Sequence, residues 1–208
     1  MNKFELTRLI ILKQLGQSLA VRPTLLDVGC RGCELKRYVE DLADYAGVDL
    51  VQNSAGTVNF VIDVSRGLPL DNASFDYVVA LDIVEHLDDF EGGLRELLRV
   101  SRKQLIVMIP NLAHMLFRAK FFFRGTLSGK YDMKYGMGKD RHRWLTTQAQ
   151  CDKFMNDFAR DHGLDVRTTW FNDSKKKHLF ASACRLIGLS PNLWVWSILY
   201  IFEKKPVK

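Results

Sequence analysis

The stretch LLDVGCRGCELKRY, residues 25–38, contains an apolar run, a turn with two glycines and a polar segment. This order predicts a buried strand that leads through Gly29 and Gly32 into a helix. The same turn holds Cys30 and Cys33 in C-x-x-C spacing, which leaves three explanations open. The pair could be a redox dithiol, half of a metal site, or part of a glycine loop that holds a cofactor.

The alternation of strands and helices continues along the chain. Helices are predicted at residues 34–42, 89–100 and near 179–187, and Thr147 with Gln150 caps a further helix. Strands are predicted at residues 24–28, 45–49, 58–62, 76–81, 104–109, 164–171 and 193–203. Short apolar strands separated by helices are typical of parallel sheets that are covered on both faces. The sequence therefore predicts a doubly wound α/β fold with a mostly parallel, Rossmann-like sheet of seven strands.

The composition is typical of one globular domain over residues 1–208, with 47% hydrophobic and 26% charged residues. The net charge of +6 is compatible with an anionic substrate, but no long basic block indicates nucleic acid. Four cysteines with one close pair do not suggest a disulfide framework, and Leu9–Leu12 is too short for the apolar core of a signal peptide. We therefore expect a cytoplasmic protein without a nucleic-acid partner. The sequence leaves the oligomeric state open.

Two of the three explanations for the cysteine pair are disfavoured by the surrounding residues. Arg31 and Gly32, between the thiols, are not the usual residues of a thioredoxin-like pair. A structural zinc site would recruit a second pair, whereas Cys151 and Cys184 are isolated in the sequence. Histidines and carboxylates show no metal-ligand spacing either, so we expect no metal.

The glycine-loop explanation is supported by acidic residues at the ends of later strands. Gly29 lies where the chain turns from strand to helix, and the missing side chain lets a ligand approach the backbone. Asp49 ends the second strand, where an acid can accept hydrogen bonds from a ribose diol, and Asp63 ends the third, where it can flank a base. Arg31 stands where nicotinamide loops need a second glycine. The pattern predicts a nucleoside ligand without a pyrophosphate.

Four segments occur in order along the first half of the chain: LLDVGCRGC, YAGVDL, VIDVSRGLPLDNASFDYVVALDIVEHLDD and LIVMIPN. They resemble the motifs of class I S-adenosylmethionine-dependent methyltransferases, and more narrowly the type 11 methyltransferase domain. The resemblance covers residues 24–111. Residues 111–208 are only loosely similar to methyltransferases encoded among surface-polysaccharide genes and to the methionine-biosynthesis methyltransferase-like family. The usual loop is Asp-x-Gly-Cys-Gly-x-Gly, and here Arg31 and Cys33 replace its second and third glycines.

The resemblance implies S-adenosylmethionine as the cofactor, bound at the ends of the first four strands. The implied cofactor-binding residues are Asp27, Gly29, Cys30, Arg31, Gly32, Asp49, Leu50, Asp63, Val64, Leu81 and Asp82. Leu81 and Asp82 would lie near the methionine part of the cofactor, and Asp27 would orient the loop or the amino group.

Two histidines are candidates for a general base at the acceptor end. His86 lies in VEHLDD, and the ordinary pKa of histidine is near neutrality. A Glu-His pair also occurs at this position in type 11 methyltransferases with unlike substrates, so a packing or capping role stays open. His142, in DRHRW, is the second candidate, and Arg141, Arg143 and Trp144 are candidate acceptor-binding residues. The alternative is a solvated basic loop anchored by Trp144.

Residues 111–145 form an unusually long connection after the fifth strand, at the edge of the sheet where ligands bind. We predict that this insertion is a lid over the acceptor, and that residues 1–22 contain an N-terminal helix. At about 100° per residue, Arg118 lies nearly opposite Lys120 on a helix, so contact with a membrane is not favoured.

The sequence as a whole predicts methyl transfer to a small-molecule, glycan or lipid-linked acceptor. Oxygen is the favoured target, because the segment IPNL stands where amino-methylating nucleic-acid enzymes have Asn-Pro-Pro-Tyr. The alternative is a methyltransferase-like binding or regulatory protein, because a fold does not fix a function.

Overall fold

The computed structural model describes residues 1–15, 22–127, 129–131, 135 and 141–204. Its centre is a seven-stranded sheet in the order β3-β2-β1-β4-β5-β7-β6. The strands are β1 (Thr24–Val28), β2 (Asp44–Asp49), β3 (Phe60–Val61), β4 (Phe75–Leu81), β5 (Ser101–Pro110), β6 (Asp165–Phe171) and β7 (Ser197–Glu203). β7 runs antiparallel to β5 and β6, and the other pairs are parallel. The predicted mostly parallel, doubly wound sheet is confirmed.

Helices cover both faces of this sheet. They are α1 (Lys3–Leu15), α2 (Lys36–Val39), α3 (Phe90–Val100), α4 (Met115–Arg124), α5 (Gln148–Asp161) and α6 (Lys175–Leu186). Successive strand residues point to opposite faces, so Leu25 packs with α1 and α2, whereas Leu26 packs with α3, α5 and α6. Each fully buried Leu or Ile contributes about 1.5–3 kcal/mol to folding. The two apolar clusters therefore hold the strand ends, and with them the ligand edge, in place.

Several element boundaries differ from the predicted ones for local reasons. α2 begins at Lys36 rather than 34, because the preceding residues form turns: Lys36 N–H donates to the Cys33 carbonyl, three residues back, at 3.1 Å. β3 is two residues long. Just before it, Asn59 N–H donates to the Gly47 carbonyl at 3.0 Å, but Gly47 N–H donates to the side-chain Oδ1 of Asn59 at 2.8 Å rather than to a backbone carbonyl. β5 begins at 101 rather than 104, and β7 begins at 197 rather than 193, because residues 191–193 form a 3₁₀ turn.

The N-terminal segment contains α1, while residues 16–21 of the predicted helical range lie outside the described residues. A reciprocal cap begins this helix. Asn2 Oδ1 accepts from Glu5 N–H at 2.8 Å, and Glu5 Oε2 accepts from Asn2 N–H at 2.7 Å. The cap places Lys3 and Phe4 at the edge of the sheet where the strands end.

The long connection after β5 contains α4 and a 3₁₀ turn at Gly129–Tyr131, and its residues 128, 132–134 and 136–140 lie outside the described residues. None of the residues of α4 is buried, and Phe122 and Phe123 are 81% and 80% exposed. The rings of Phe122 and Phe123 are therefore not packed in the core of the domain. No helix among the described residues has the length and apolar character needed to cross a membrane.

Candidate functional site

The carboxyl ends of the parallel strands surround a cavity of about 850 Å³. The start of β7 and the first turn of α1 complete its wall. The predicted site residues in this wall are Asp27, Gly29, Cys30, Arg31, Asp49, Leu50, Leu81, Asp82, His86 and His142. Ligands bind at this edge of open α/β sheets, so the cavity is the candidate functional site.

The loop after β1 keeps a glycine-type backbone path despite its substituted glycines. Gly29 has a φ of +76°, and a Cβ added there would lie 2.9 Å from Ile83 Cγ1. A side chain at this position would therefore separate the loop from the residues that follow β4. Arg31 and Cys33 adopt positive φ angles, which only glycine reaches without strain. The chain thus retains the conformation that the usual glycines favour.

Asp49 joins the end of β2 to this loop. Its Oδ2 accepts a hydrogen bond from the backbone N–H of Arg31 at 2.8 Å. Its Oδ1 lies 3.4 Å from Val51 N, a long contact that leaves capacity for a stronger donor. A carboxylate held in this way can accept hydrogen bonds from the hydroxyl groups of a ligand.

Asp27 is the buried acid of the site, with 5% of its surface exposed. Burial raises the pKa of its carboxyl group to about 7, although a hydrogen bond from Tyr45 and the charge of Lys3 act in the opposite direction. The Tyr45 hydroxyl donates to Asp27 Oδ2 at 2.8 Å. A cationic group in the cavity would favour the ionised carboxylate.

The cysteine pair does not have the properties of a reactive dithiol. Cys30 and Cys33 are buried free thiols with their sulfur atoms 3.5 Å apart. Burial raises the pKa of the Cys30 thiol well above its ordinary range, and only a thiolate is a good nucleophile. Cys151 and Cys184 pack in a different apolar cluster. These contacts favour the loop explanation over the redox and zinc explanations.

The residue that follows β4 is held by the N-terminal helix. Asp82 has a φ of +61°, and its Oδ2 forms an ion pair with Lys3 Nζ at 2.7 Å. Lys3 and Phe4 both line the cavity, and sequence reasoning missed them. No sequence signal could have linked Lys3 to Asp82, because the contact depends on how α1 packs against the sheet.

The two predicted histidines meet in the structure. The 3₁₀ turn Val84–His86 places His86 beside His142, with ring centres 4.5 Å apart in an edge-to-face arrangement. His142 Nε2 lies 3.8 Å from Glu85 Oε1, and Lys130 Nζ lies 3.3 Å from His86 Nε2. Glu85 is fully buried, and burial, with a smaller effect of the nearby Asp82 charge, raises the pKa of its carboxyl group to about 8.

The predicted acceptor-binding residues beside His142 have other contacts. Arg143 forms an ion pair with Asp88 at 2.8 Å, and Trp144 Nε1 donates to the Leu87 carbonyl at 2.8 Å. Arg141 is exposed. None of the three predicted residues lies in the cavity wall, and their contact with an acceptor stays a prediction. Arg143 and Trp144 instead attach their segment to the connection between β4 and α3.

Three predicted cofactor residues also lie outside the cavity wall. Asp63 caps the 3₁₀ turn Val64–Arg66 by accepting from Ser65 N–H at 3.2 Å, and Val64 is buried in the core. Gly32 belongs to the loop but does not border the cavity. Sequence reasoning also missed Trp196, which lines the cavity because the antiparallel pairing of β7 places Ser197 opposite Pro110.

Comparison with known proteins identifies relatives of the first half of the chain. Residues 26–109 match the model of a methyltransferase domain family. Over 87 residues the chain is 28% identical to norajmaline N-methyltransferase of Rauvolfia serpentina. The aligned segment covers 42% of this chain and 29% of that protein. The match thus spans less than a third of the length of this curated relative.

Solved structures share the fold over nearly the whole chain. An S-adenosylmethionine-dependent methyltransferase from Archaeoglobus fulgidus has a TM-score of 0.61 at 16% identity, over 97% of this chain and 95% of its own. Magnesium protoporphyrin IX methyltransferase from Synechocystis PCC 6803, solved with bound S-adenosylhomocysteine, has a TM-score of 0.58 at 14% identity, over 96% of this chain and 83% of its own. At these identities the likeness concerns the fold.

Proposed function

We propose that this chain, whose residues 26–109 match a methyltransferase domain family, is a class I S-adenosylmethionine-dependent methyltransferase that transfers a methyl group to a small-molecule, glycan or lipid-linked acceptor. The observation that carries the proposal is the composition of one cavity wall. Gly29 and Asp49 line one part of it, and His86 and His142 line another. We assign the first part of this wall to the methyl donor, as the donor half, and the second part to the acceptor, as the acceptor half.

The donor half suits S-adenosylmethionine. Gly29 leaves the backbone uncovered, Asp49 can accept from the ribose hydroxyls, and Asp27 can pair with the amino group. S-adenosylmethionine supplies an electrophilic methyl group on its sulfonium. We propose that Gly32 contributes to the loop and that Asp63 and Val64 lie beside the adenine.

The acceptor half contains groups that can bind an acceptor and take its proton. His86 and His142 line the cavity beside the buried Glu85, so an acceptor hydroxyl could meet an imidazole there. The chain's contribution is to orient this acceptor for attack along the line of the breaking bond, because the donor is already activated.

Oxygen is the target atom that we propose. The segment IPNL, residues 109–112, places Ile109 where an Asn-Pro-Pro-Tyr enzyme has its asparagine, and the amide of this segment, Asn111, is fully buried. Its Nδ2 donates to the carbonyls of Asn192 at 3.0 Å and Val195 at 2.7 Å, and its Oδ1 accepts from Ala113 N–H at 3.0 Å. The Asn111 side chain is thus engaged in holding the backbone around β7.

Calorimetry with the purified chain tests the donor site directly. We expect saturable binding of both S-adenosylmethionine and S-adenosylhomocysteine. Incubation with S-adenosylmethionine and a panel of hydroxylated small molecules and glycans should then yield S-adenosylhomocysteine and a methylated product detectable by mass spectrometry. The absence of binding heat for both ligands at millimolar concentration would contradict the proposal. Tight binding without transfer to any acceptor would instead support a methyltransferase-like binding protein.

A further inference from the structure

Three side chains at the acceptor half form a cluster with the composition of a metal site. Glu85, His86 and His142 each offer one ligand atom, and these atoms lie within 4.8 Å of one another. Glu85 and His86 are adjacent on the 3₁₀ turn after β4, whereas His142 comes from the segment after β5. We expected no metal because the sequence shows no metal-ligand spacing. Spacing along the sequence does not show that His142 lies beside Glu85 and His86 in the fold.

Glu85 provides a second, independent observation. Its side chain is fully buried, and neither carboxylate oxygen accepts a hydrogen bond from another residue in the described part of the chain. Burying a carboxylate without partners is costly, so such a group either carries a proton or faces a cation. Glu85 Oε1 is directed toward His142 Nε2, 3.8 Å away.

The positions of the charged side chains around the cluster are compatible with binding of an added cation. Lys3 is paired with Asp82, and Arg143 with Asp88. Lys130 Nζ, 3.3 Å from His86 Nε2, is the cation that an ion at this position would displace. Its ammonium group lies on a long flexible side chain, whose rotation would make room for the ion.

We propose that Glu85, His86 and His142 bind one divalent ion of the first transition row, with its remaining coordination positions open to the cavity. Two imidazoles and one carboxylate are suitable ligands for Zn²⁺, Co²⁺, Mn²⁺ or Fe²⁺, and three protein ligands leave room for water or substrate. The open coordination positions would face the cavity, because His86 and His142 both line it.

The site has a consequence that rests on the proposed function. An acceptor hydroxyl that takes an open coordination position loses its proton more readily, because the cation stabilises the resulting oxyanion, and the proton passes to water in the open cavity. A coordinated imidazole nitrogen cannot take a proton, so in the loaded protein the two histidines act as ligands rather than bases. The acceptor would then present the hydroxyl that is methylated as a ligand of the ion.

Cobalt titration of the full chain, free of any affinity tag and treated with a chelator, tests the site without an activity assay. We expect visible absorption bands to rise and saturate near one equivalent of Co²⁺, and Zn²⁺ to abolish them. Glu85→Gln and His142→Gln should each lower Co²⁺ affinity at least roughly 10-fold, the lower end for loss of supporting groups at metal sites. His178→Gln is the matched control, because His178 is exposed on α6, and it should titrate like the unmodified chain.

Two further measurements keep the test decisive. Pulsed electron paramagnetic resonance of the Mn²⁺-loaded unmodified chain should show coupling to imidazole nitrogen. This measurement does not depend on the folding of a variant. Calorimetry with S-adenosylhomocysteine on the same samples reports the donor site separately, so failure of the metal site and failure of the proposed function are distinguishable. No stoichiometric Co²⁺ uptake, uptake unaffected by both substitutions, or no nitrogen coupling would overturn the proposal.

Discussion

The carboxylate of Asp49 accepts a hydrogen bond from the backbone N–H of Arg31 at 2.8 Å. This bond connects the end of β2 with the loop that follows β1. Arg31 has a φ of +47°, so the bond forms on a backbone conformation that non-glycine residues rarely adopt. Asp49, the acid that we propose binds the ribose, and the glycine loop are separate features in the sequence but are joined by a hydrogen bond in the structure.

Asp49→Ala should weaken S-adenosylhomocysteine binding by about 2–4 kcal/mol, because both the loop bond and the hydrogen bonds to the ribose are lost. This corresponds to roughly 30- to 900-fold in the dissociation constant. Asp49→Asn keeps an oxygen for Arg31 N–H but loses the charge, so its effect should be smaller. Calorimetry measures both. Equal binding by the unmodified chain and both variants would show that Asp49 does not contact the ligand.

Arg31→Gly should stabilise the fold relative to Arg31→Ala. Both variants lose the same side chain beyond Cβ, but only glycine relieves the left-handed backbone conformation. The relief of about 1–2 kcal/mol is partly offset by the larger entropy of glycine in the unfolded chain, which leaves about 1 kcal/mol. Urea denaturation at neutral pH measures the difference. If the alanine variant proves as stable as the glycine variant, the loop is not strained at this residue.

Asp27→Asn should change how stability depends on pH. The folded-state pKa of Asp27 is raised to about 7, so the folded chain binds more protons than the unfolded chain between its ordinary pKa of 3.8 and about 7. Its contribution to stability is therefore present below pH 4 and lost as the pH rises through about 7. The variant does not titrate, and Asn still accepts from the Tyr45 hydroxyl.

The free energy of unfolding of Asp27→Asn relative to the unmodified chain should therefore rise between pH 5 and pH 8 by up to about 2.7 kcal/mol, because only the two pH units between 5 and the folded-state pKa of about 7 contribute in this range. Thermal or urea denaturation at the two pH values measures it. Asp44→Asn, which changes an exposed carboxylate on β2, is the control and should show little pH effect. Parallel pH curves for Asp27→Asn and the unmodified chain would contradict the assignment. Affinity for S-adenosylmethionine should fall at the same time, because the amino group loses its counter-charge.

Trp144→Ala should loosen the segment that carries His142 without affecting the donor half. The indole donates to the Leu87 carbonyl and packs edge-on against Phe90, with ring centres 6.1 Å apart. Its removal should therefore detach the segment from Leu87 and Phe90. Hydrogen exchange should become faster at Arg143 N–H, which donates to the Glu85 carbonyl at 2.9 Å. Trp144→Phe keeps part of the packing and should exchange at an intermediate rate. Unchanged exchange at this amide in both variants would show that Trp144 is not an anchor.

The predicted lid has its own test. Deleting residues 121–139 should leave S-adenosylhomocysteine affinity nearly unchanged and abolish methyl transfer, because a lid completes the acceptor site and excludes water. Hydrogen exchange over the described residues 112–127 and 141–144 should slow when an acceptor or product joins the donor. Full protection of these amides before any ligand is added would identify the segment as a structural insertion.

The sequence was sufficient for the features that depend on local patterns. Alternating apolar strands and helices determine a covered parallel sheet, and the carboxyl ends of parallel strands must meet at one edge. Gly29 and Asp49 could therefore be placed together before any contact was known. Thr147 and Gln150 likewise marked the start of α5, because a helix cap involves residues only three apart.

Contacts between distant segments were decided by the tertiary structure alone. Lys3 meets Asp82, and His142 meets Glu85, because of the directions in which α1 and the segment after β5 return over the sheet. Those directions follow from the packing of many side chains, which no short motif encodes. The same holds for Arg143, whose local sequence indicated an anion site but whose partner is Asp88. A side chain's neighbours across the fold depend on the sum of these packing energies, whereas its place on a strand or helix depends on a few adjacent residues.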